Sequence, residues 1–384
     1  MEHTNIGRLE DSMKILCVID SLGSGGAQRQ LVNLACGLKA RGHIVDVFIY
    51  YPHQDFFLSE LAEAGVAVHA LPKKGKLGVN VLVGLVRLLH AREYDALISF
   101  LDTPNVYSVV ASIFSPRLKL VVSERSSHHH DKNKYLALGK RLLYGFTDKV
   151  VANSKSQAEW LRRYPWLRGK TMAIYNGFPM ADQAASGEIP PMSFLVVGRI
   201  GPEKNGIRLV EALELFRRKH GYVPDISWAG KEDILPAGQR YVSALRAILD
   251  KYPGVRAQWN WLGERRDIMD LLREHRALIH PSLYEGLPNV VCEAFIAGRP
   301  VIASGVCDHP SLVDEPARGF IFDPLDPVQI CKAIEHVVFL PEQEWREMSE
   351  NSMNYARSQL GVDRMVEEYE ALLGGAGRSL QPFS

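Results

Sequence analysis

Short apolar runs alternate with amphipathic stretches along most of the chain. Short runs predict buried strands, and apolar residues recurring every three or four positions predict helices. In the first half the runs predict strands at residues 14–20, 45–50, 66–70, 96–100, 119–123, 149–152 and 173–175. The intervening stretches predict helices at residues 27–40, 57–64, 80–90, 105–113, 135–146 and 157–164.

The alternation resumes at residue 194, and a last helix is predicted over 362–373. Strands that alternate with helices favour parallel sheets covered by helices on both faces. We therefore predict an α/β protein of two doubly wound, Rossmann-like domains facing a central cleft. Its predicted parts are a flexible extension at 1–12, an N-terminal domain at 13–178, a linker at 179–191, a C-terminal domain at 192–360 and a terminal helix and tail at 361–384.

Composition adds an uneven distribution of charge. The first 178 residues carry 23 Lys and Arg against 15 Asp and Glu, and the remainder carries 22 against 29. A basic half can meet an anionic membrane or acceptor, or complement the acidic half across a cleft. The 5 cysteines lack metal-ligand spacing, and their odd number favours free thiols. No apolar run spans a bilayer and no signal peptide is visible, so a cytoplasmic location is expected.

One segment of the second half combines two carboxylates with the predicted start of a helix. Glu285 falls in a loop with Gly286 and Pro288, and Glu293 lies on a helix predicted over 289–297. A helix start leaves N–H groups free and carries a positive partial charge, which favours phosphate. Either glutamate alone also fits a solvated charge. Because ligands of parallel sheets bind where strands end, we interpret the segment as a nucleotide-sugar site.

A second candidate loop follows the predicted strand that ends at Gly198. Arg199 and Lys204 lie on this loop. A guanidinium can grip a phosphate with two hydrogen bonds, and an ammonium adds a mobile point charge. The pair therefore indicates a diphosphate clamp, although two solvated cations would be the interpretation if the loop stood alone.

A glycine-rich loop precedes the first helix and ends in Gly25 and Gly26. It lacks the glycine spacing of a dinucleotide-binding fingerprint, which disfavours NAD. The loop fits either a tight turn or the close approach of a ligand to the backbone.

Together these segments resemble the family-four retaining glycosyltransferases of the GT-B fold. The resemblance extends from Met13 to about Leu373. The matching residues are Gly25-Gly26, Asn176-Gly177, Val197-Gly198-Arg199, Glu203-Lys204-Asn205, Trp261-Leu262-Gly263, Pro281-Ser282, Glu285-Gly286-Leu287-Pro288, Glu293-Ala294 and Gly298-Arg299-Pro300-Val301.

The resemblance implies a donor site in the C-terminal domain. Arg199 and Lys204 would hold the donor diphosphate, Glu293 would accept hydrogen bonds from the ribose, and Glu285 would contact the transferred sugar. Of these, Glu285, Lys204 and Arg199 are the predicted catalytic residues. The phosphate site would be completed by Gly198 and by the backbone of Gly286, Leu287, Pro288, Asn289 and Val290.

The resemblance also implies an acceptor side and a reaction course. Gly25 and Gly26 would approach the reacting centre. Many relatives carry a histidine after the strand at 119–123, where this chain has Glu124 and Arg125; His128 is close but is not aligned with it. The family generally needs no metal, and the chain has no Asp-x-Asp triplet, so a metal-independent reaction without a cofactor is expected. Retention implies front-face attack, with the leaving phosphate taking the acceptor proton.

A second departure affects the sugar. Where many members have Gly-Gly-x-Pro-Glu, this chain reads Cys307-Asp308-His309-Pro310-Ser311. The glutamate that could touch the sugar hydroxyls is absent, and either Ser311 or Asp308 would have to replace it. The identity of the sugar is therefore left open.

The resulting hypothesis is a hexosyltransferase. It would move a hexose or N-acetylhexosamine from a UDP-sugar to a cell-surface polysaccharide or a lipid-linked glycan, as in lipopolysaccharide synthesis. Lys73, Lys74 and Lys76 beside an apolar helix, with Arg162 and Arg163, fit peripheral contact with the inner face of an anionic membrane, and equally fit solvated faces. No nucleic-acid partner is expected. The alternatives are a nucleotide-sugar epimerase and a non-catalytic nucleotide-sugar sensor.

Overall fold

A computed structural model describes residues 12–125, 134–180 and 189–374. The backbone separates into two compact units. The first takes the described residues up to Pro179 together with those from Gly361 onward, and the second runs from Met180 to Leu360. Each unit is built on its own parallel sheet with helices between successive strands. The predicted class of two doubly wound, Rossmann-like α/β domains is confirmed.

The first unit contains a seven-stranded sheet in the order β3-β2-β1-β4-β5-β6-β7. Its strands are β1 (Lys14–Val18), β2 (Ile44–Ile49), β3 (Ala67–Ala70), β4 (Ala96–Phe100), β5 (Lys119–Glu124), β6 (Lys149–Ala152) and β7 (Thr171–Ala173). Its helices up to β7 are α1 (Gly26–Ala40), α2 (Leu58–Glu63), α3 (Val79–Arg92), α4 (Asp102–Ser112), α5 (Lys134–Leu143) and α6 (Lys155–Leu161).

The second unit contains a six-stranded sheet in the order β10-β9-β8-β11-β12-β13. Its strands are β8 (Ser193–Val197), β9 (Asp225–Ala229), β10 (Trp259–Gly263), β11 (Ala277–His280), β12 (Val301–Ser304) and β13 (Gly319–Phe322). Its helices are α7 (Gly206–His220), α8 (Pro236–Lys251), α9 (Pro253–Arg256), α10 (Ile268–Glu274), α11 (Asn289–Ile296), α12 (His309–Val313), α13 (Pro327–Val338) and α14 (Glu342–Gln359).

The central strands are buried on both faces, which explains their continuous apolar sequences. In β1 and β4 the apolar residues Ile15, Cys17, Ala96 and Ile98 belong to one core cluster of the first unit. The alternate residues Leu16 and Leu97, with others, belong to a second cluster on the opposite face. Because successive strand side chains point to opposite faces, a helix layer covers each side of the sheet.

The last helix of the chain, α15 (Val362–Leu373), packs on the first unit rather than on the second, which immediately precedes it. Its buried face joins the core cluster that contains β1 and α1. Glu370 accepts hydrogen bonds from Arg41 and His43 at 2.9 Å each, and the ammonium of Lys119 donates to the carbonyl of Leu373 at 2.7 Å. The chain therefore crosses back to its N-terminal unit.

Several predicted boundaries shift by a few residues. The helix predicted from residue 105 begins at Asp102, with Pro104 in its first turn, where proline is tolerated. The helix predicted over 135–146 is split into α5 and a 3₁₀ turn at Tyr144–Phe146. The strand predicted at 173–175 is wrong by two residues, since β7 ends at Ala173. Glu124 is the last residue of β5 rather than a loop residue.

Within the described part of the chain, no helix is long and apolar enough to cross a lipid bilayer. The predicted linker at 179–191 falls mostly outside the described residues, as does the extension predicted at 1–12. All five cysteines are described, and all have free thiols. Cys17, Cys292 and Cys331 are buried, whereas Cys36 and Cys307 are only partly buried.

Candidate active site

The loops that carry the predicted donor residues leave two neighbouring strands of the second sheet. β8 and β11 are adjacent and parallel, and the strand order reverses between them. Arg199 and Lys204 follow β8, and Glu285 follows β11. Such a switch point is the usual ligand site of a doubly wound sheet. The backbone N–H of Leu283 donates to the carbonyl of Glu203 at 2.8 Å, which joins the two loops directly.

The backbone around Gly198 fixes the path of the Lys204 side chain. Gly198 has a φ of +143°, and a Cβ there would lie 2.6 Å from Cε of Lys204. Lys204 ends the 3₁₀ turn Pro202–Lys204, and Asn205 after it has a left-handed φ of +57°, which asparagine tolerates better than most residues. The Asn205 side chain donates to the carbonyl of Pro324 at 2.7 Å. Local geometry therefore favours glycine and asparagine at these two positions.

Lys204 and Glu285 form an ion pair across the two loops. Their Nζ and Oε1 atoms are 2.5 Å apart, and the side chains are only 15% and 19% exposed. Burial would raise the pKa of Glu285, but a hydrogen bond from His280 and the ammonium of Lys204 outweigh it and hold the pKa well below its usual value. Glu285 is therefore ionised near neutral pH.

Arg199 differs from Lys204 in its surroundings. Its side chain is 49% exposed and pairs with Glu203 at 3.0 Å, with Asp233 at 3.8 Å. The hydrogen bond to Glu203 raises the pKa of Arg199 further above its usual value. The two cations of the predicted clamp thus lie on one loop, but Arg199 faces solvent while Lys204 is turned inward.

Glu293 lies on α11, within a largely buried setting. Burial raises the pKa of its carboxyl group, and no cation offsets that effect. Across the described residues, the Glu293 side chain makes no hydrogen bond or ion pair, so it is not joined to Glu285. A carboxylate held without a partner beside a candidate ligand site can accept hydrogen bonds from ligand hydroxyls.

The start of α11 supplies backbone donors to the same edge of the sheet. Pro288 is the N-cap residue and the helix begins at Asn289. The N–H groups of Gly286, Leu287 and Val290 donate no hydrogen bond to a described residue. Proline has no N–H, so Pro288 cannot donate to a phosphate as the predicted set of amides implied, and its role is conformational.

Four further residues surround Glu285. The sequence predicted no role for any of them. His280 Nε2 lies 3.2 Å from Glu285 Oε1 and 3.3 Å from the hydroxyl of Ser282. The Cys307 thiol accepts from the Glu285 N–H at 3.3 Å and donates to its carbonyl at 3.1 Å. The ring of His309 packs edge-on against His280 at 5.1 Å. The position of His280 at a strand end was the available sequence signal.

Arg299, part of the Gly-Arg-Pro-Val motif, has a structural role. It is 1% exposed and donates to the carbonyls of Leu272 and Arg273 at 2.9 and 3.0 Å. Its guanidinium also lies over the ring of Trp345, 5.4 Å from the centroid. These contacts satisfy carbonyls at the end of α10, which otherwise have no partner within the helix.

On the N-terminal unit, Gly25 and Gly26 lie at the start of α1. Gly25 is the N-cap residue with extended backbone, and Gly26 is the first helical residue. The neighbouring Gln28 side chain donates to Asp20 at 2.9 Å, which closes the loop on itself. The predicted contact of the two glycines with a reacting centre stays a prediction.

Glu124 and Arg125 are engaged in internal contacts. Glu124 is 1% exposed and accepts a hydrogen bond from Lys140 at 2.9 Å. Arg125 donates to Ser123 at 2.8 Å and to Tyr369 of α15 at 3.3 Å, and it also hydrogen-bonds Asn176. Their predicted acceptor-side role stays a prediction. His128, the other candidate for the family histidine, lies outside the described residues.

The two candidate substitutes for the missing sugar-contacting glutamate have different exposures. Asp308 is 2% exposed and is the N-cap residue of α12, whereas Ser311 is exposed on that helix. Neither assignment is tested by these positions. In the segments 12–125, 134–180 and 189–374, no three His, Cys, Asp or Glu side chains are grouped to hold a metal ion. Metal independence stays a prediction.

Two protein-family models match the chain in succession. The model described as Glycosyltransferase Family 4 matches residues 24–181, and the model described as Glycosyl transferases group 1 matches residues 191–338. The matches correspond to the two units, and the second includes Arg199, Lys204, Glu285 and Glu293.

Curated relatives and solved structures agree with these matches. An undecaprenol-linked-glycan α-1,4-N-acetyl-D-galactosaminyltransferase of Campylobacter jejuni is 23% identical and aligns over 94% of this chain and 98% of its own. The lipopolysaccharide glucosyltransferase WaaG of Escherichia coli is 27% identical over 89% and 94%. HepE of Anabaena, solved in complex with UDP, has a TM-score of 0.79 at 22% identity and covers 94% and 100%.

Proposed function

The chain belongs to the family-four glycosyltransferases of the GT-B fold, and from that premise we propose that it transfers a sugar from a UDP-sugar to a lipid-linked or polysaccharide acceptor, with retention of configuration. The observation that carries the proposal is the Lys204–Glu285 pair at the β8/β11 switch point. It presents a cation for a leaving diphosphate and an ionised carboxylate for a sugar at one edge of one sheet.

The proposed donor site follows from the charges of these residues. Lys204 and Arg199 bind the diphosphate, and the N–H groups at the start of α11 add donors to the same group. As the bond to the sugar breaks, negative charge grows on the diphosphate, and fixed positive groups stabilise it. Glu293 accepts hydrogen bonds from the ribose, and Glu285 accepts one from the transferred sugar.

Relatives support the choice of donor and acceptor. HepE, a structural relative, was solved with UDP and with UDP-glucose. The names of two curated relatives specify undecaprenol-diphosphate-linked acceptors, and WaaG is named for lipopolysaccharide. We extend these features to this chain as a UDP-linked hexose or N-acetylhexosamine donor and a lipid-linked or cell-surface glycan acceptor.

The proposed reaction uses no metal, because Lys204, Arg199 and the amides at the start of α11 would supply the positive groups for the diphosphate. Front-face attack by an acceptor hydroxyl forms the new glycosidic bond as the bond to the diphosphate breaks. The leaving phosphate oxygen takes the hydroxyl proton, so that charge and atoms balance. Gly25 and Gly26, with Glu124, Arg125 or His128, are the proposed acceptor-side residues.

We also propose peripheral contact with the inner face of an anionic cytoplasmic membrane. Lys73, Lys74 and Lys76 precede α3. Leu77, just before this helix, is 80% exposed, and Val79, its first residue, is 62% exposed. Basic residues beside exposed apolar ones suit the surface of an anionic bilayer. Flotation with liposomes containing anionic lipid tests this contact, and absence of binding at low salt would remove it from the proposal.

The two alternative functions, an epimerase and a non-catalytic sensor, are not favoured because both matching families consist of glycosyltransferases. The deciding experiment has two steps. Thermal unfolding is first measured with UDP-, GDP- and ADP-sugars, since a ligand that binds only the folded chain raises its midpoint. The stabilising donor is then incubated with undecaprenyl-diphosphate-linked glycans, and NMR of the product reports the anomeric configuration. Stabilisation by no UDP-sugar, or an inverted product, contradicts the proposal.

A further inference from the structure

We propose that His280 is a positioning residue that holds the Glu285 carboxylate with a neutral imidazole N–H and leaves the second carboxylate oxygen for a hydroxyl of the transferred sugar. This inference rests on the proposed function, in which Glu285 contacts that sugar. It concerns a residue that precedes the Glu285-to-Glu293 motif and lies outside it.

The position of His280 is fixed by the sheet. It is the last residue of β11, pairs in register with Ala303 of β12, and is 1% exposed. From there its Nε2 atom lies 3.2 Å from Oε1 of Glu285. A side chain on a central strand has little freedom to move, so the hydrogen bond gives Glu285, a loop residue, a rigid point of attachment.

The protonation of the ring follows from its partners. A carboxylate can only accept a hydrogen bond, so Nε2 of His280 must carry the proton. Nδ1 is buried and has no hydrogen-bond partner among the described residues, which suits a bare lone pair better than an N–H group. Burial and the nearby ammonium of Lys204 both lower the pKa of His280, so the ring is neutral near pH 7.

A second imidazole packs against the first and holds its orientation. The ring of His309 meets His280 at an interplanar angle of 87°. Nδ1 of His309 donates to the carbonyl of Ser304 at 2.8 Å, and the Ser304 hydroxyl donates to the carbonyl of Ser282 at 2.6 Å. Burial lowers the pKa of His309 to about 3, so this ring is also neutral.

These contacts constrain Glu285 on one side only. Its backbone N–H and carbonyl are both bonded to the Cys307 thiol. Its Oε1 atom receives both the His280 and the Lys204 hydrogen bonds. Among the described residues, nothing donates to Oε2. The carboxylate is thus oriented by two donors while one oxygen stays available.

The charged and titratable groups that face Glu285 come from three elements. Lys204 approaches from the turn after β8, His280 from β11, and Cys307 with His309 from the segment after β12. Lys204 and His280 both favour the ionised carboxylate. Loss of the His280 donor alone should therefore shift the titration of Glu285 upward, toward its ordinary value of 4.5.

The test compares His280→Leu, which removes the donor, with His280→Gln, whose amide can replace the Nε2–H. We expect His280→Leu to lower kcat/KM about tenfold or more, since slight misplacement of a reacting group is costly. We also expect an acid limb in its pH profile at higher pH than in the wild type. His280→Gln should recover most of the rate and restore the limb.

His275→Leu is the matched control. His275 is 8% exposed and precedes β11, at the opposite end of the strand from His280, where its Nδ1 contacts the carbonyl of Leu271 at 2.6 Å. This variant should lose thermal stability without moving the acid limb. If His280→Leu fails to fold, His280→Gln decides the matter.

Three outcomes would overturn the inference: a folded His280→Leu protein with wild-type kcat/KM and pH profile, a folded His280→Gln protein that loses about tenfold or more, or the same limb shift in His275→Leu. Failure of the proposed function is distinguishable, because the wild type would then neither bind nor turn over a UDP-sugar.

Discussion

Each unit contains a lysine–glutamate pair beside the carboxyl end of a parallel strand, yet the two pairs are built differently. In the first unit Lys140 lies 2.9 Å from Glu124, and the two side chains are 9% and 1% exposed. In the second unit Lys204 lies 2.5 Å from Glu285, and the side chains are 15% and 19% exposed. The N–O distances of the two ion pairs are therefore similar, but the pair of the first unit is buried and the pair of the second unit is partly exposed to solvent.

The pKa values of the two carboxyl groups are also shifted in opposite directions. At Glu124 burial outweighs Lys140 and raises the pKa above its usual value. At Glu285 burial is outweighed by a second donor, His280, together with Lys204, and the pKa falls. An ion pair by itself thus does not identify a site. What distinguishes the second pair is the additional donor His280 and the partial exposure of Glu285, since the second oxygen of Glu124 also lacks a hydrogen-bond partner among the described residues but is buried.

The largest expected effect tests the structural nature of the first pair. Lys140→Ala leaves the Glu124 carboxylate buried without its ammonium, and breaking such a pair costs about 3–5 kcal/mol. Thermal unfolding followed by circular dichroism should show a clear fall in the midpoint. Lys74→Ala, which changes an exposed lysine of the same unit, is the control and should unfold as the wild type does. An unchanged midpoint in Lys140→Ala would mean that this pair is not structural.

The second effect tests the ligand-facing nature of the other pair. Lys204→Ala removes the cation proposed to stabilise the leaving diphosphate and should lower transfer at least about tenfold. Lys219→Ala removes an exposed lysine, paired with Glu335 at 2.9 Å, from the end of α7 and is the control. Initial rates of UDP release measure both variants. Full activity of Lys204→Ala would contradict the proposal that the Lys204–Glu285 pair faces a ligand.

A third effect concerns Glu293, whose carboxylate makes no hydrogen bond or ion pair with a described residue. Glu293→Ala removes the proposed ribose acceptor and should also lower kcat/KM about tenfold, mostly through KM. Glu293→Gln keeps a carbonyl oxygen that can accept a hydrogen bond and should lose less. Steady-state kinetics over a range of donor concentrations separates the effect on KM from the effect on kcat. Equal losses in both variants would point to packing rather than to ribose contact.

The smallest expected effect is a difference in how the stability contributions of Glu285 and Glu124 depend on pH. Because the folded-state pKa of Glu285 is depressed, its ionised form adds stability that is present above about 4.5 and is lost as pH falls through the folded pKa. The stability difference between the wild type and Glu285→Gln should therefore shrink below that pH.

For Glu124 the sign is reversed. Its folded-state pKa is raised, so the folded chain binds the proton more tightly than the unfolded chain does. The wild type should gain stability relative to Glu124→Gln as pH falls through the raised value. Urea midpoints measured from pH 7 down to well below pH 4.5 check both signs. The same direction in both variants would contradict the contrast in burial and donors.

Much of the fold was predictable from local pattern. β4 at Ala96–Phe100, β6 at Lys149–Ala152 and α15 at Val362–Leu373 have the predicted bounds. Apolar runs and helical spacing are properties of adjacent residues, so they can be read without the fold. Errors occur where adjacent residues do not determine an element boundary. For example, α4 begins at Asp102, earlier than predicted, because proline is tolerated in the first turn of a helix.

The candidate site was predictable in part. Glu285 and Lys204 carry motif signals, and the structure brings them together. His280 and Cys307 were visible in the sequence without an assigned role, because their contacts with Glu285 depend on where β11 and β12 end. Pro288 was grouped with donating amides although it has no N–H.

The sequence by itself determined the two parallel sheets, the family motifs and the residue types available for phosphate and sugar. These follow from periodicity and from chemical groups that each residue carries. The tertiary structure decided that Glu285 is an ionised, oriented carboxylate, whereas Glu124 is buried against Lys140. That distinction depends on burial and on donors from distant parts of the chain, and both arise only when the strands are placed side by side.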